Sequence, residues 1–379
     1  MKSLDQHVEE AAAATGLEDL GEDGWEPALR VLLDSLASEA NLNDMGQLAV
    51  ELLIAERLVN RLRIVDWAVK HPQVAKVTIG RPLIVMGMAR TGSTLLNALL
   101  DADPANRSLM KWEVLDSIPP PTDKTFGTDP RIAACVERTN ATFEAVPHLK
   151  AQHWEPGDGP TECTFVFAQD FRSLEFPGYA HIPSYTEFLL ADDLSSRHAW
   201  HRLTLQVLGS QTSGVWNLKA PGHLLGIDGL RQAYPDARFV VTHRDPRSSV
   251  GSCAHMITDV WRFLSHDDAP RAGQVWFDLQ YESARRLLEH RRKHGDGQFF
   301  DILYDRFVED PVGEIRRMYD HFGDELTPEA EAAMRDRLAN RPHGMWGAYR
   351  HDLADHGIEE RVVLDRFADY IDAFEIPIR

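Results

Sequence analysis

Between Asn43 and His71 the apolar residues Met45, Leu48, Leu52, Ala55, Leu58, Leu62 and Val65 recur at helical spacing, behind a capping residue at Asn43 or Asp44. With the stretch from Ala28 to Leu42, this predicts a helical N-terminal region over residues 1–75, packed on a larger unit because one apolar stripe needs a partner surface. After Arg81 the period changes. Pro82 to Met86 is apolar at every position, Gly87 to Gly92 is a glycine-containing loop, and Ser93 to Ala102 reads as a helix. A short run without alternation suits a strand buried on both faces of a parallel sheet. Val215 to Lys219, Arg238 to His243 and Phe299 to Leu303 read the same way. Strands separated by helices imply right-handed crossovers and a doubly wound α/β sheet over residues 76–379, with ligands held at the carboxyl ends of the strands. A less regular stretch at about 120–200 reads as an insertion into that unit.

Composition narrows the class. The 379 residues are 43% hydrophobic and 26% charged, an ordinary balance for a folded protein. No apolar run reaches the ~18 residues of a spanning helix, and carboxylates occupy Met1 to Glu10 where a secretory signal needs an apolar stretch. The expectation is a cytoplasmic protein without membrane insertion. Forty basic against 59 acidic residues give a formal charge of −19, which argues against nucleic acid as a partner. An anionic ligand therefore needs a locally basic pocket. Cys135, Cys163 and Cys253 are widely separated and lack metal-ligand spacing, so they read as reduced and structural, with no metal site.

Two loops carry candidate chemistry. Gly87-Met88-Ala89-Arg90-Thr91-Gly92-Ser93-Thr94 has the glycine spacing of a phosphate-binding Walker A loop, with Ser93 where that motif carries lysine. Backbone amides and a helix N-terminus there suit an anion, and Arg90 can stand in for the lysine. The plainer alternative is a tight strand-to-helix turn. Downstream, Arg244 follows a strand and Ser252 comes eight residues later, past the start of a helix. That pair suits a second anion, so the two loops together suggest a nucleotide phosphorylated at two places.

These residues resemble the superfamily of sulfotransferases that use 3′-phosphoadenosine 5′-phosphosulfate (PAPS). The likeness is to its bacterial branch, of mycobacterial or actinobacterial type and related to the tyrosylprotein enzymes, rather than to the classical cytosolic branch. It runs from about Arg81 to Phe322. It implies that Arg90, Thr91, Gly92, Ser93 and Thr94 bind the 5′-phosphosulfate and that Arg244 and Ser252 bind the 3′-phosphate. Lys219-Ala220-Pro221 matches the family's Lys-x-Pro segment, and Tyr304-Asp305 through Asp310-Pro311 its Tyr/acid to Asp-Pro segment, with Tyr304 at the cofactor.

The resemblance further implies a P-loop-like fold and transfer of a sulfuryl group to a hydroxyl or amine, releasing 3′-phosphoadenosine 5′-phosphate (PAP), with no metal required. Arg90 and Lys219 are expected to stabilise the charge that develops on the bridging oxygen. The general base is expected at Glu113, by its distance from the first loop, with Glu162 and His153 as further candidates. Pro221 occupies the position of the classical branch's histidine, and His223 falls two residues late. The aromatic stretch from Phe143 to Phe188, with Trp154, Phe165, Phe167, Phe171, Tyr179 and Tyr185, reads as an acceptor pocket or as plain core. Residues 340–358 read as a flap over the nucleotide or as ordinary surface. The acceptor is expected to be a small molecule, lipid or carbohydrate, and homo-oligomerisation is left open. Two other functions fit parts of the pattern: a P-loop nucleotide kinase or phosphotransferase, and a non-catalytic nucleotide-binding protein.

Overall fold

The computed structural model of the protein describes residues 1–22, 24–146, 150, 154–266, 269–340 and 352–378. Helices α1 (Leu4–Thr15), α2 (Trp25–Ser38) and α3 (Asp44–Lys70) come first. Asn43 caps α3, its side-chain oxygen accepting from the Gly46 amide at 2.8 Å. Leu58, Leu62 and Val65 are buried as their spacing predicts, but Met45, Leu48 and Leu52 are 51%, 53% and 55% exposed. The cause lies at Gly46. The Asn43 amide donates to the Leu264 carbonyl at 3.0 Å, and a Cβ on Gly46 would lie 1.9 Å from that same oxygen. The first turns of α3 therefore present the side of Gly46, Val50 and Leu53 inward and turn the predicted stripe outward.

Five parallel strands form the sheet: β1 (Leu83–Gly87), β2 (Asn106–Ser108), β3 (Val215–Lys219), β4 (Arg238–His243) and β5 (Phe299–Leu303), in the order β2-β3-β1-β4-β5. Four of them follow the apolar runs. The edge strand β2 does not: its Asn-Arg-Ser sequence has no apolar pattern, and its Arg107 and Ser108 are buried through polar and ring contacts, Ser108 with Asn217 and Arg107 with Trp216 of β3. The helices around the sheet include α4 (Ser93–Leu100), α5 (Lys111–Leu115), α6 (Ser195–Leu208), α7 (Pro246–Leu264), α8 (Ala269–His294) and α9 (Pro311–Phe322).

Successive β1 residues face opposite layers, which is why the run is apolar throughout. Leu83 and Val85 pack with Leu96 and Leu99 of α4 and Ile315 of α9, whereas Ile84 and Met86 share a core with Leu205 of α6 and Phe277 of α8. A further core joins Leu32 of α2 and Leu58 of α3 to Phe171, Tyr185 and Trp261 of α7. Among the described residues, no helix is long and apolar enough to cross a membrane. Because the order runs β3-β1-β4, the strand order reverses around β1, and the loops after β1, β3, β4 and β5 meet at one edge of the sheet.

Candidate functional site

A cavity of about 290 Å³ opens at that edge. Its walls include Arg90, Gly92, Ser93 and Thr94 from the loop after β1, Pro221 and Gly222 after β3, Arg244 after β4 and Tyr304 after β5. The loop after β1 is held by its own chemistry. Gly87 lies beside Thr242 of β4 so closely that a Cβ would sit 2.5 Å from the Thr242 carbonyl oxygen. Thr91 is buried, its hydroxyl bonded to the Met88 carbonyl at 2.8 Å and to the Thr242 hydroxyl at 2.6 Å. Gly92 precedes α4 at φ 92°, a conformation that favours glycine. Arg90 adopts φ 71° without that freedom, and such strain collects at functional loops.

The two arginines expected at anions come together. The Arg244 guanidinium donates to the Arg90 carbonyl at 3.0 Å and lies over the Tyr304 ring, 4.1 Å from its centre. Arg90 Nε donates to the Ser252 hydroxyl on α7 at 3.1 Å. Among the described residues neither guanidinium forms a carboxylate ion pair, although the chain has many such pairs elsewhere. Burial pushes Arg90 below its usual pKa, and neighbouring Arg244 adds to the effect. Two adjacent, partly desolvated cations, neither in a carboxylate ion pair among the described residues, suit an anion.

Lys219 ends β3 with its side chain 1% exposed, and its ammonium lies 2.6 Å from Glu162 Oε1. Glu162 lines the cavity because its segment is docked on the sheet: the Cys163 amide donates to the Lys219 carbonyl at 2.9 Å, and the Thr161 amide to the Leu109 carbonyl at 2.8 Å. Thr91 and Lys219 stand behind the cavity wall rather than on it.

Glu113 lies elsewhere. It belongs to α5, is fully buried, and engages Arg107 with both carboxylate oxygens, the second at 2.6 Å. Its first oxygen also accepts from the Met110 amide at 2.8 Å. The Arg107 guanidinium is itself packed between the rings of Phe126 and Trp216. The geometry thus disagrees with Glu113 as a base: it is fully buried in a two-pronged pair with Arg107, and it is not among the residues lining the cavity, whereas Glu162, which accepts from Lys219 and from the Thr164 hydroxyl, is. His153, His148 and the residues of the expected flap from Arg341 to His351 lie outside the described residues.

The aromatic stretch is mostly core. Phe167, Phe171 and Tyr185 are fully buried, and none of the aromatics named in that stretch lines the cavity among the described residues. Its apolar wall comes instead from Leu174, Met256 of α7 and Trp276 of α8. Met256 and Trp276 escaped sequence reasoning, although Met256 falls one helical turn after Ser252, a spacing that places both on one face of α7. The cysteines are all buried and unpaired, and burial pushes the Cys163 and Cys253 thiols up to about 12. Asp228, His290 and His294 bring ligand-type atoms within 4.8 Å of one another, but none of the three lines this cavity.

Residues 82–328, well over half of the chain, match the model of a sulfotransferase family. The chain is 26% identical over 266 residues to the omega-hydroxy-beta-dihydromenaquinone-9 sulfotransferases Stf3 of Mycobacterium tuberculosis and Mycobacterium bovis, covering 66% of this chain and 65% of theirs. It thus spans 65% of the length of these relatives. Among solved structures it is similar to sulfotransferase STF9 from Mycobacterium avium, with 32% identity and a TM-score of 0.93 over 100% of this chain and 98% of that one. Sulfotransferase STF1 from Mycobacterium tuberculosis is 29% identical, with a TM-score of 0.87 over 97% and 99% of the two chains.

Proposed function

The chain belongs to the sulfotransferase family, and from that premise we propose that it transfers the sulfuryl group of PAPS to a hydroxyl of an apolar acceptor, releasing PAP. The observation that carries this reading is the convergence of Arg90 and Arg244, without carboxylate partners among the described residues, on one cavity in a chain of formal charge −19.

The residues fit a doubly phosphorylated nucleotide. The amides from Gly92 to Thr94 at the start of α4, together with Arg90, would hold the 5′ end. Arg244 and Ser252 would hold the 3′-phosphate, and Tyr304, already stacked on Arg244, would line the same end. When bound, PAPS supplies an activated sulfuryl group whose departure leaves charge on a phosphate oxygen. Lys219 and Arg90 are the cations that would stabilise that charge.

Glu162 is the base in this reading, in place of Glu113. It lines the cavity, its side chain is 15% exposed, and it contacts Lys219. Its carboxylate takes the proton of the acceptor hydroxyl, so that oxygen attacks with more electron density. Leu174, Met256 and Trp276 give the cavity an apolar wall suited to an acceptor with a hydrocarbon body. The relatives named for a hydroxylated menaquinone support that class. A cytoplasmic location belongs to the same proposal, since the nucleotide donor is made there.

The test is transfer of label from [35S]PAPS to hydroxylated apolar compounds such as long-chain primary alcohols and hydroxylated quinones, with and without EDTA. Label should reach at least one alcohol at a rate that EDTA leaves unchanged. Labelling from [γ-32P]ATP with Mg²⁺ instead would replace this reading with a phosphotransferase.

A further inference from the structure

Lys219 faces two carboxylates, one at the cavity wall and one buried. Besides Glu162 at 2.6 Å, Glu155 Oε1 lies 4.0 Å from its ammonium, with the Glu155 side chain 4% exposed. Glu155 Oε2 accepts from the Thr161 hydroxyl at 2.8 Å, while Oε1 has no hydrogen-bond partner among the described residues. A buried carboxylate oxygen without a donor costs free energy, and here it is kept against the face of an ammonium. Lys219 thus links Glu162, which lines the cavity, to Glu155, which does not.

We propose that Glu155 is a positioning residue that acts through Lys219, holding it as a placed ammonium while Glu162 takes up the acceptor's proton. This rests on Glu162 being the base. In the step, the acceptor O–H bond breaks and its proton goes to Glu162, which becomes neutral and loses its hold on Lys219. As the acceptor oxygen would form its bond to sulfur, the bond from sulfur to the phosphate oxygen would break, and Lys219 would stabilise that departing oxygen. Glu155 remains as the buried counter-charge, and neither it nor Lys219 gains or loses a proton.

The other charged or titratable groups nearby do not supply that counter-charge. Lys111 donates to the Glu155 backbone carbonyl, not to its carboxylate. Burial raises the pKa of the Cys135 thiol beside Glu155 and of the Cys163 thiol beside Glu162 and Lys219, so both stay neutral. Arg90, which interacts with Glu162, adds positive charge.

The test needs no acceptor. PAP brings negative charge to the cavity wall and should drive proton uptake by Glu162. That uptake is measured by calorimetric titration of PAP in buffers of different ionisation heat, between about pH 5 and pH 7. Glu155→Gln should keep PAP affinity within roughly threefold and move the pH of greatest uptake down by about one unit, since removing a negative neighbour lowers the proton affinity of Glu162. Glu162→Gln should abolish that component.

An uptake profile in Glu155→Gln that matches the wild type, while Glu162→Gln loses the component, would sink the role of Glu155 and leave Glu162 standing. Unchanged uptake in Glu162→Gln would sink the base assignment and this proposal with it. If the Gln variant does not fold, Glu155→Asp carries the test, because it draws the charge back by one methylene. A smaller shift in the same direction supports the proposal, and no shift overturns it.

Discussion

At the scale of single residues, the decisive contrast is between two glutamates of similar sequence prominence. Glu113 is completely buried against Arg107, whereas Glu162 reaches the cavity and pairs with Lys219. Removing one partner of a buried ion pair typically costs ~3–5 kcal/mol, because the other charge is stranded. Glu113→Ala should therefore lower unfolding stability by that order in denaturant titrations, while the fraction that remains folded keeps its PAP affinity. Glu162→Gln should cost less stability, because Glu155 remains beside Lys219 as a counter-charge, and should lower kcat by ~10²–10⁴. Turnover that collapses in a stable, PAP-binding Glu113→Gln protein would return the base to Glu113.

The sequence favoured Glu113 because a motif distance counts residues along the chain and cannot see which carboxylate meets an arginine in three dimensions. Arg107, six residues upstream, lies outside any helical or strand spacing that would have paired it. The meeting of Arg90, Arg244 and Ser252 was legible for the opposite reason. Arg90 and Arg244 follow strand ends and Ser252 lies in the helix after one of them, and the parallel sheet brings these segments together.

At the scale of elements, the strands most apolar in sequence were the ones most easily read, since burial on both faces leaves no polar position to blur the run. The three-residue β2 was illegible because it is short and its buried side chains, Arg107 and Ser108, are polar groups satisfied by partners distant in sequence, Glu113 aside. Helix α3 shows what periodicity omits. Its spacing established the helix, but the side that packs at its start was chosen by the approach of Gly46 to Leu264. The exposed and buried parts of that predicted stripe should differ in energy. Leu58→Ala should cost ~2–5 kcal/mol, as for a filled core position, and Leu48→Ala less than ~0.5 kcal/mol. Chemical denaturation of both variants reads this directly, and equal losses would mean that the start of α3 is covered in the folded protein.

At the scale of the whole molecule, the loops of four strands make a cationic island inside a strongly acidic chain. The acidic exterior repels anions in general, so a bound nucleotide must be recognised by direct contacts rather than by the net field. The sequence conveyed the fold class and the loops that meet at the cavity. It did not convey the apolar wall of Met256 and Trp276, which are contributed by helices far along the chain.

The central claim, that this island holds a nucleotide by phosphates at two ends, is tested most directly by calorimetric titration of the wild-type protein and Arg244→Ala with PAP and with adenosine 5′-monophosphate, which lacks the 3′-phosphate. Losing a desolvated charge contact costs ~2–5 kcal/mol. The wild type should therefore prefer PAP by roughly 10²-fold or more, and Arg244→Ala should lose most of that preference while binding the monophosphate as before. Equal affinity of the wild type for the two ligands, or an equal loss for both in the variant, would contradict the account.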